Sequence, residues 1–157
     1  MMLGFDENKT INNILAAESG LILCEVNCQG VMGALFTKQV KRLYPEVFAE
    51  YVEICKRVPD TTLLGRVQVI PSRNPNLYFV CAFGQLEYGR NEDTLYLDYE
   101  AFEKSLREVN QLFAGQEIMV SNNIGCEKTS NGDWSKVREI LQRTLTDCKC
   151  FYSIDEY

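Results

Sequence analysis

The stretch that most constrains the fold is Leu21 to Gly33, which reads LILCEVNCQGVMG. Its apolar first half predicts a buried strand that ends at Asn27, and a helical pattern begins near Phe36. Between them lies a loop that contains Gly30 and Gly33. Such a loop presents backbone N–H groups that suit an anion, although many α/β loops use glycine only to bend the chain. The stretch therefore predicts an α/β fold with a candidate anion-binding loop.

The rest of the chain alternates between strand and helix patterns. One predicted helix carries Phe102, Leu106, Val109 and Phe113 on a single face, at spacings of four, three and four. The alternation predicts one domain over residues 1–157, in which a mostly parallel sheet lies between helical layers. The predicted strands are 21–26, 65–70, 78–83, 117–121 and 148–153, and the predicted helices begin near residues 36, 47, 99 and 134, the last two behind the N-caps Asp98 and Asp133.

Two turn-rich segments follow predicted strands. One follows Val26 and the other follows Ser121 and covers residues 122–132. In α/β sheets, ligands bind beyond the carboxyl ends of the central strands, so we expect both segments to border one site. Residues 84–97 are polar and aromatic without a clear period, which predicts a long loop of a size that often carries function.

The composition excludes several classes of chemistry. The 157 residues contain no histidine, which rules out Ser-His-Asp catalysis, Cys-His catalysis and histidine-containing zinc sites. We expect neither a metal nor a cofactor. The net charge of −6 argues against binding to duplex nucleic acid, whereas backbone amides and a helix dipole can still hold a small anion.

The cysteines and the apolar runs bear on the compartment. Seven cysteines occur without a CxxC pair, and this odd number favours reduced thiols. No apolar run approaches the roughly 18 residues that a membrane span requires. The first ten residues lack the basic and apolar parts of a secretory signal. We therefore expect a cytoplasmic protein without a membrane partner.

Four ordered motifs resemble the macro domain family: VNCQGVMG, FGQLEYGR, DYEAFEKSL and IGC followed by GDW. Order and spacing match the family over roughly residues 11–152, and the chain looks most similar to the phage-like branch of ADP-ribose 1-double-prime phosphate processing proteins. The resemblance implies a three-layer α/β/α fold with a mixed, mostly parallel sheet. It also implies a cleft for ADP-ribose or a related nucleotide, free or attached to a macromolecule.

The resemblance places ligand-binding positions on both turn-rich segments and near the N-terminus. Asn13 stands where the family usually has an aspartate for the adenine amino group, and its side-chain oxygen can accept the same hydrogen bond. Asn27 matches the amide that reaches the distal ribose. The implied ligand-binding residues are Asn13, Asn27, Gly30, Val31, Met32, Gly33, Ile124, Gly125 and Cys126, and Gln85, Tyr88 and Arg90 match a segment without an assigned role.

Two departures from the family pattern affect the implied loops. Leu35 stands where a glycine is expected, and its side chain fills space that a ribose or phosphate would approach. Glu127 replaces another glycine, and its carboxylate opposes a diphosphate, with Lys128 as a partial offset. Both changes favour a protein in which catalysis is diminished or absent.

Several residues have a structural interpretation beside the functional one. Asn27 and Asp133 are weak catalytic candidates; Asn27 can instead bond its own backbone, and Asp133 can serve as an N-cap alone. Cys28 and Cys126 fit packing thiols better than nucleophiles. Glu25 lies in a buried strand and requires a partner or an exposed edge.

Three functions remain open from the sequence. The favoured one is a module that recognises ADP-ribose or a derivative. The second is an active phosphatase or ADP-ribosyl hydrolase with the same fold. The third is a degenerate macro domain that serves protein interactions.

Overall fold

A computed structural model describes residues 4–5 and 14–153. From residue 20 onward, the described strands and helices follow the order that the sequence predicts, with one short helix added. The strands are β1 (Gly4–Phe5), β2 (Gly20–Asn27), β3 (Val67–Pro71), β4 (Leu77–Gln85), β5 (Glu117–Val120) and β6 (Lys149–Tyr152). The helices are α1 (Leu35–Leu43), α2 (Pro45–Arg57), α3 (Asp60–Leu63), α4 (Tyr99–Leu112) and α5 (Trp134–Thr144).

The described strands form one sheet in the order β1-β6-β5-β2-β4-β3. β3 runs antiparallel to β4, and the other neighbouring strands are parallel. In the middle of the sheet, Leu23 of β2 is in register with Val120 of β5 and Val80 of β4. The carboxyl ends of β2, β4 and β5 therefore lie side by side, as the prediction of a mixed, mostly parallel sheet requires.

Alternating side chains of β2 divide the apolar core into two layers. Ile22, Cys24 and Val26 belong to the layer that includes buried residues of α1 and α2. Leu21 and Leu23 belong to the opposite layer, beneath α4 and α5. Because both faces of the sheet are covered by helices, the strands are apolar almost throughout. The three-layer α/β/α architecture is confirmed.

The predicted N-caps of the last two helices are confirmed. The Asp98 side chain accepts a hydrogen bond from the Ala101 N–H, and the Asp133 side chain accepts one from the Ser135 N–H. In contrast, α1 begins after Ala34, whose side chain offers no cap. The N–H groups at the start of α1 therefore need an acceptor from elsewhere.

The structure corrects several predicted elements; for example, the strand predicted at 65–70 is β3 at Val67–Pro71. Residues 60–63 form the short helix α3, which no apolar period predicted. β4 continues through Gln85, so the predicted loop at 84–97 starts two residues later. The extension matters because it carries the Gln85 side chain, which is 2% exposed, to the end of the sheet. No helix in the described ranges is long and apolar enough to cross a membrane.

Candidate functional site

Two loops meet at the carboxyl ends of the central strands. We call residues 28–34, between β2 and α1, the first loop, and residues 121–132, between β5 and α5, the second loop. An inner pocket lies between them, and an outer cleft continues from it past Gly33, Ala34, Glu127 and Thr129. The sequence-based expectation that both loops border one site agrees with this geometry.

The two cavities differ in size. The inner pocket has a volume of about 30 Å³, which is room for a water molecule or two. The outer cleft has a volume of about 410 Å³, within the roughly 300–1,000 Å³ of small-molecule sites. The outer cleft therefore has the volume of a small-molecule site, whereas the inner pocket does not.

Asn27 organises the first loop from the end of β2. Its Nδ2 donates to the Val31 carbonyl (2.7 Å), and its Oδ1 accepts from the backbone N–H groups of Gln29 (3.0 Å) and Val31 (3.3 Å). The Tyr51 hydroxyl of α2 donates to the Asn27 carbonyl at 2.6 Å and lies 2.9 Å from Asn27 Oδ1. The Asn27 side chain is 7% exposed, so these hydrogen bonds satisfy buried polar groups. Asn27 thus bonds the backbone of its own loop, as the structural interpretation expects, and it also lines the inner pocket.

Glu127 of the second loop lies at the N-terminus of α1. Its Oε1 accepts a hydrogen bond from the Phe36 N–H at 3.2 Å. Burial raises the pKa of Glu127, while the backbone N–H groups of Phe36 and Leu35 lower it. A carboxylate at a helix N-terminus is favourable because it faces unpaired N–H groups and the positive end of the helix dipole. Glu127 therefore occupies part of the position that the sequence analysis assigned to an anionic ligand.

A second buried carboxyl group faces the inner pocket. Glu25 Oε1 lies 3.0 Å from Ser130 Oγ, which lies 2.7 Å from Gln85 Oε1. Gln85 Nε2 donates to the carbonyls of Glu87 (2.8 Å) and Thr129 (2.9 Å). Burial raises the pKa of Glu25 to about 8, and the nearby Glu127 carboxylate adds to the rise. Glu25 thus has the partner that the sequence analysis required of it.

Three cationic side chains border the outer cleft: Lys38 from α1, Arg90 from the loop after β4, and Lys128 from the second loop. Arg90 Nη2 donates to the Gly33 carbonyl at 3.3 Å and so attaches its loop to the first loop. Glu127 lines the same cleft, at the boundary between the two cavities. The outer cleft is therefore locally basic in a chain whose net charge is −6.

The structure brings together most of the predicted ligand-binding residues. Asn13 lies outside the described residues. Gly30 faces Val52 and Cys55 of α2, and Met32 is buried in the core; neither lines the inner pocket or the outer cleft. The predicted residues that line the inner pocket are Asn27, Val31, Gly33, Ile124 and Gly125. Gly33 and Cys126 line the outer cleft.

The remaining candidates are placed as follows. Leu35 is 50% exposed and borders the outer cleft. The expectation that its side chain fills space which a ribose or phosphate would approach stays a prediction. Asp133 is exposed, and its side chain accepts hydrogen bonds from the Ser135 hydroxyl and backbone N–H. These bonds lower the pKa of Asp133, as expected for an N-cap. Burial raises the pKa of Cys28 and of Cys126 to about 12, which keeps both as thiols at neutral pH. Tyr88 is exposed and lines the inner pocket.

Sequence reasoning missed Ser130 and the role of Gln85. Ser130 lies in a turn-rich segment with no periodic signal, and its partner Glu25 is 105 residues away in the chain. The available signal was the charge of Glu25 within a buried strand, which indicates that a polar partner exists without indicating which residue it is.

Comparisons with known proteins give one partial sequence match and several matches to the whole fold. No family model matches the chain. A protein named DNA ADP-ribosyl glycohydrolase from Mycobacterium tuberculosis is 44% identical over 58 residues. The match covers 37% of this chain and 16% of the length of that relative. A protein of the same name from Mycobacterium bovis gives the same values.

Two solved structures resemble the chain over nearly its whole length. The macrodomain of Mycobacterium tuberculosis DarG superimposes with a TM-score of 0.72 at 21% identity, covering 98% of this chain and all of that one. Thermosipho africanus DarTG, solved in complex with ADP-ribose, gives a TM-score of 0.70 at 17% identity and covers 91% of this chain and 40% of that one. The chain therefore has the fold of the macrodomains.

Proposed function

We propose that this chain recognises ADP-ribose or a derivative of it, with diminished or absent catalysis. The observation that carries the proposal is the outer cleft, where two strand-end loops enclose about 410 Å³ under three cationic side chains. The macrodomain fold and a similar structure solved with ADP-ribose support this ligand class. Membership of the phage-like branch and a cytoplasmic location remain predictions.

The charges of the cleft fit a nucleotide diphosphate. Lys38, Arg90 and Lys128 border the cleft, and no described ion pair neutralises them. A diphosphate between them gains charge-assisted hydrogen bonds. The Glu127 carboxylate opposes this gain from the floor of the cleft, so we expect modest affinity in this conformation.

The state of the candidate nucleophiles and bases supports diminished catalysis. Cys28 and Cys126 remain protonated at neutral pH, and Asp133 caps α5 without lining either cavity. Asn27 already bonds the first loop and Tyr51. In this proposal the residues hold a ligand and do not transform it.

A second candidate is an ADP-ribosyl hydrolase that acts on a modified macromolecule. The partial match to proteins named DNA ADP-ribosyl glycohydrolase favours it, together with the buried carboxyl group of Glu25 beside the inner pocket. The phosphatase that acts on ADP-ribose 1-double-prime phosphate is a variant of the same hypothesis. A degenerate domain that serves protein contacts is the third possibility, and it predicts no nucleotide binding.

Calorimetry with ADP-ribose tests the proposal, with AMP as a control for the adenosine phosphate alone. We expect micromolar binding of ADP-ribose and weaker binding of AMP. Lys128→Ala should weaken binding roughly threefold, since an exposed charge contributes about 0.5–1 kcal/mol, whereas Lys136→Ala on α5 should not. Turnover of ADP-ribosylated DNA or of ADP-ribose 1-double-prime phosphate would favour the enzyme instead. If neither nucleotide binds, the degenerate domain that serves protein contacts is the remaining hypothesis.

A further inference from the structure

The contacts of Glu25, Ser130 and Gln85 determine where their hydrogens are. Both N–H groups of Gln85 Nε2 donate to carbonyl oxygens, those of Glu87 and Thr129. The Gln85 amide therefore cannot be turned round, because its oxygen would then face two carbonyl oxygens. Its Oε1 is an acceptor, 2.7 Å from Ser130 Oγ, and the serine hydroxyl must donate to it.

The serine hydroxyl has one hydrogen, which leaves none for Glu25. Glu25 Oε1 lies 3.0 Å from Ser130 Oγ, so this second contact is a hydrogen bond only when the carboxyl group supplies the hydrogen. Glu25 Oε2 is buried without a hydrogen-bond partner. It packs closely against Gly84 and Phe102, since a Cβ built on Gly84 would lie 3.2 Å from Oε2 and 3.1 Å from Phe102 Cδ1. An ionised carboxylate in such apolar surroundings would be costly.

We infer that Glu25 acts as an uncharged carboxylic acid that positions the second loop over the ligand cleft. Glu25 donates to Ser130, Ser130 donates to Gln85, and Gln85 donates to the Thr129 carbonyl. This chain joins the ends of β2 and β4 to the second loop. The inference deepens the proposed function and rests on it for its effect on ligand binding.

The charges around Glu25 determine what ionisation does. The titratable groups that interact with it are Cys24 on β2, Cys28 in the first loop, Tyr51 on α2, and Cys126 and Glu127 in the second loop. The pKa values of the thiols and of Tyr51 are all raised, so these groups are uncharged near neutral pH. Ionised Glu25 would therefore add a second negative charge beside Glu127, and it would lose its hydrogen for Ser130.

The sign of the pH effect follows from the raised pKa. The folded protein holds the Glu25 proton up to about pH 8, whereas the unfolded chain releases it near the ordinary value of 4.5. The folded state thus binds more protons between these values, and its stability falls as pH rises through this window. Affinity for an anionic ligand stays constant well below pH 8 and falls as pH rises through about 8, because only the uncharged form positions the loop.

Calorimetry with ADP-ribose between about pH 6 and about pH 9 tests the inference on the whole chain. Wild-type affinity should fall about tenfold from one pH unit below the pKa to one above it. Glu25→Gln keeps a donor for Ser130 and cannot ionise, so it should retain the affinity seen at low pH over the whole range. Glu25→Met removes the donor and should bind weakly at every pH.

A control variant identifies the titrating group. Glu127→Gln should retain the fall in affinity if Glu25 is responsible. Loss of the pH dependence in Glu127→Gln, or weak binding by Glu25→Gln at low pH, would overturn the inference.

Measurements without ligand separate this inference from the proposed function. Carbon-13 NMR of labelled glutamate carboxyls, with Glu25 assigned by its loss in Glu25→Gln, should give a titration midpoint near pH 8. Amide exchange in residues 121–132 should rise above that pH in wild type relative to Glu25→Gln. If both results appear but no variant binds ADP-ribose, the proposed function fails and the role of Glu25 stands. A Glu25 midpoint near pH 4.5 overturns the role of Glu25 whatever the ligand.

Discussion

The two loops that border the cleft are held in different ways. In the first loop, Asn27 bonds the backbone of residues two and four positions away, and the Tyr51 hydroxyl adds a contact from α2. In the second loop, Ser130 bonds Glu25, and Glu127 bonds the Phe36 N–H, across 105 and 91 residues of sequence. The first loop is thus an extension of its own strand, whereas the second depends on the rest of the domain.

This difference has a consequence for ligand binding. Opening the inner pocket by moving the first loop would break buried hydrogen bonds around Asn27 and the packing of Met32 in the core. Moving the second loop would break its contacts to Glu25, Gln85 and Phe36. Two of these contacts involve the carboxyl groups of Glu25 and Glu127, so they change when those groups are protonated. The second loop is therefore the element that we expect to adapt to a ligand.

The largest expected effect tests the first loop. Asn27→Ala removes the acceptor for two backbone N–H groups and the donor to Val31, and it leaves the Tyr51 hydroxyl with one acceptor. Leaving buried groups unpaired costs about 1–3 kcal/mol each, so we expect a loss of about 3 kcal/mol in the free energy of unfolding. Urea denaturation measures it. Asn123→Ala in the second loop is the matched control, and an equal loss there would contradict the distinction between the loops.

A smaller effect tests the packing inside the second loop. The Gly132 N–H donates to the Gly125 carbonyl at 2.9 Å, and a methyl group at Gly132 would collide with that carbonyl oxygen. Gly132→Ala should therefore cost about 2 kcal/mol of stability, as overpacking usually does, and should weaken ADP-ribose binding.

Gly33 of the first loop provides the comparison for this substitution. A Cβ there would lie 3.7 Å from Val31 Cγ1, which is an ordinary contact. Gly33→Ala should change the unfolding free energy by less than about 0.5 kcal/mol. Thermal unfolding of both variants compares the loops directly, and equal melting temperatures would refute the expected difference.

The smallest effect concerns the two departures from the family pattern. Leu35→Gly together with Glu127→Ala widens the outer cleft and removes the carboxylate from the N-terminus of α1. We expect ADP-ribose affinity to rise about tenfold, or about 1.4 kcal/mol, because the freed N–H groups then serve the ligand. Calorimetry measures the change. Leu35→Gly alone should have little effect since Leu35 lies at the rim, and no gain in the double variant would show that the cleft is not obstructed by Glu127.

Much of the fold could be predicted because it depends on local patterns. The apolar period of residues 102–113 predicted α4, and Asp98 and Asp133 were recognised as N-caps from their positions alone. The convergence of both loops followed from the rule that ligands lie at the carboxyl ends of parallel strands. The short helix α3 was missed because four residues are too few for a periodic signal.

The sequence by itself determined the alternation of strands and helices, the layered architecture and the two loops at one edge of the sheet, since hydrophobic period and capping act over a few residues. Only the tertiary structure decided that Glu25 meets Ser130, that Glu127 lies on the N-terminus of α1, and that the inner pocket is nearly closed. These contacts join residues about 90 to 105 positions apart. The physical reason is that a buried carboxyl group requires a partner, but the identity of the partner depends on how the whole chain packs.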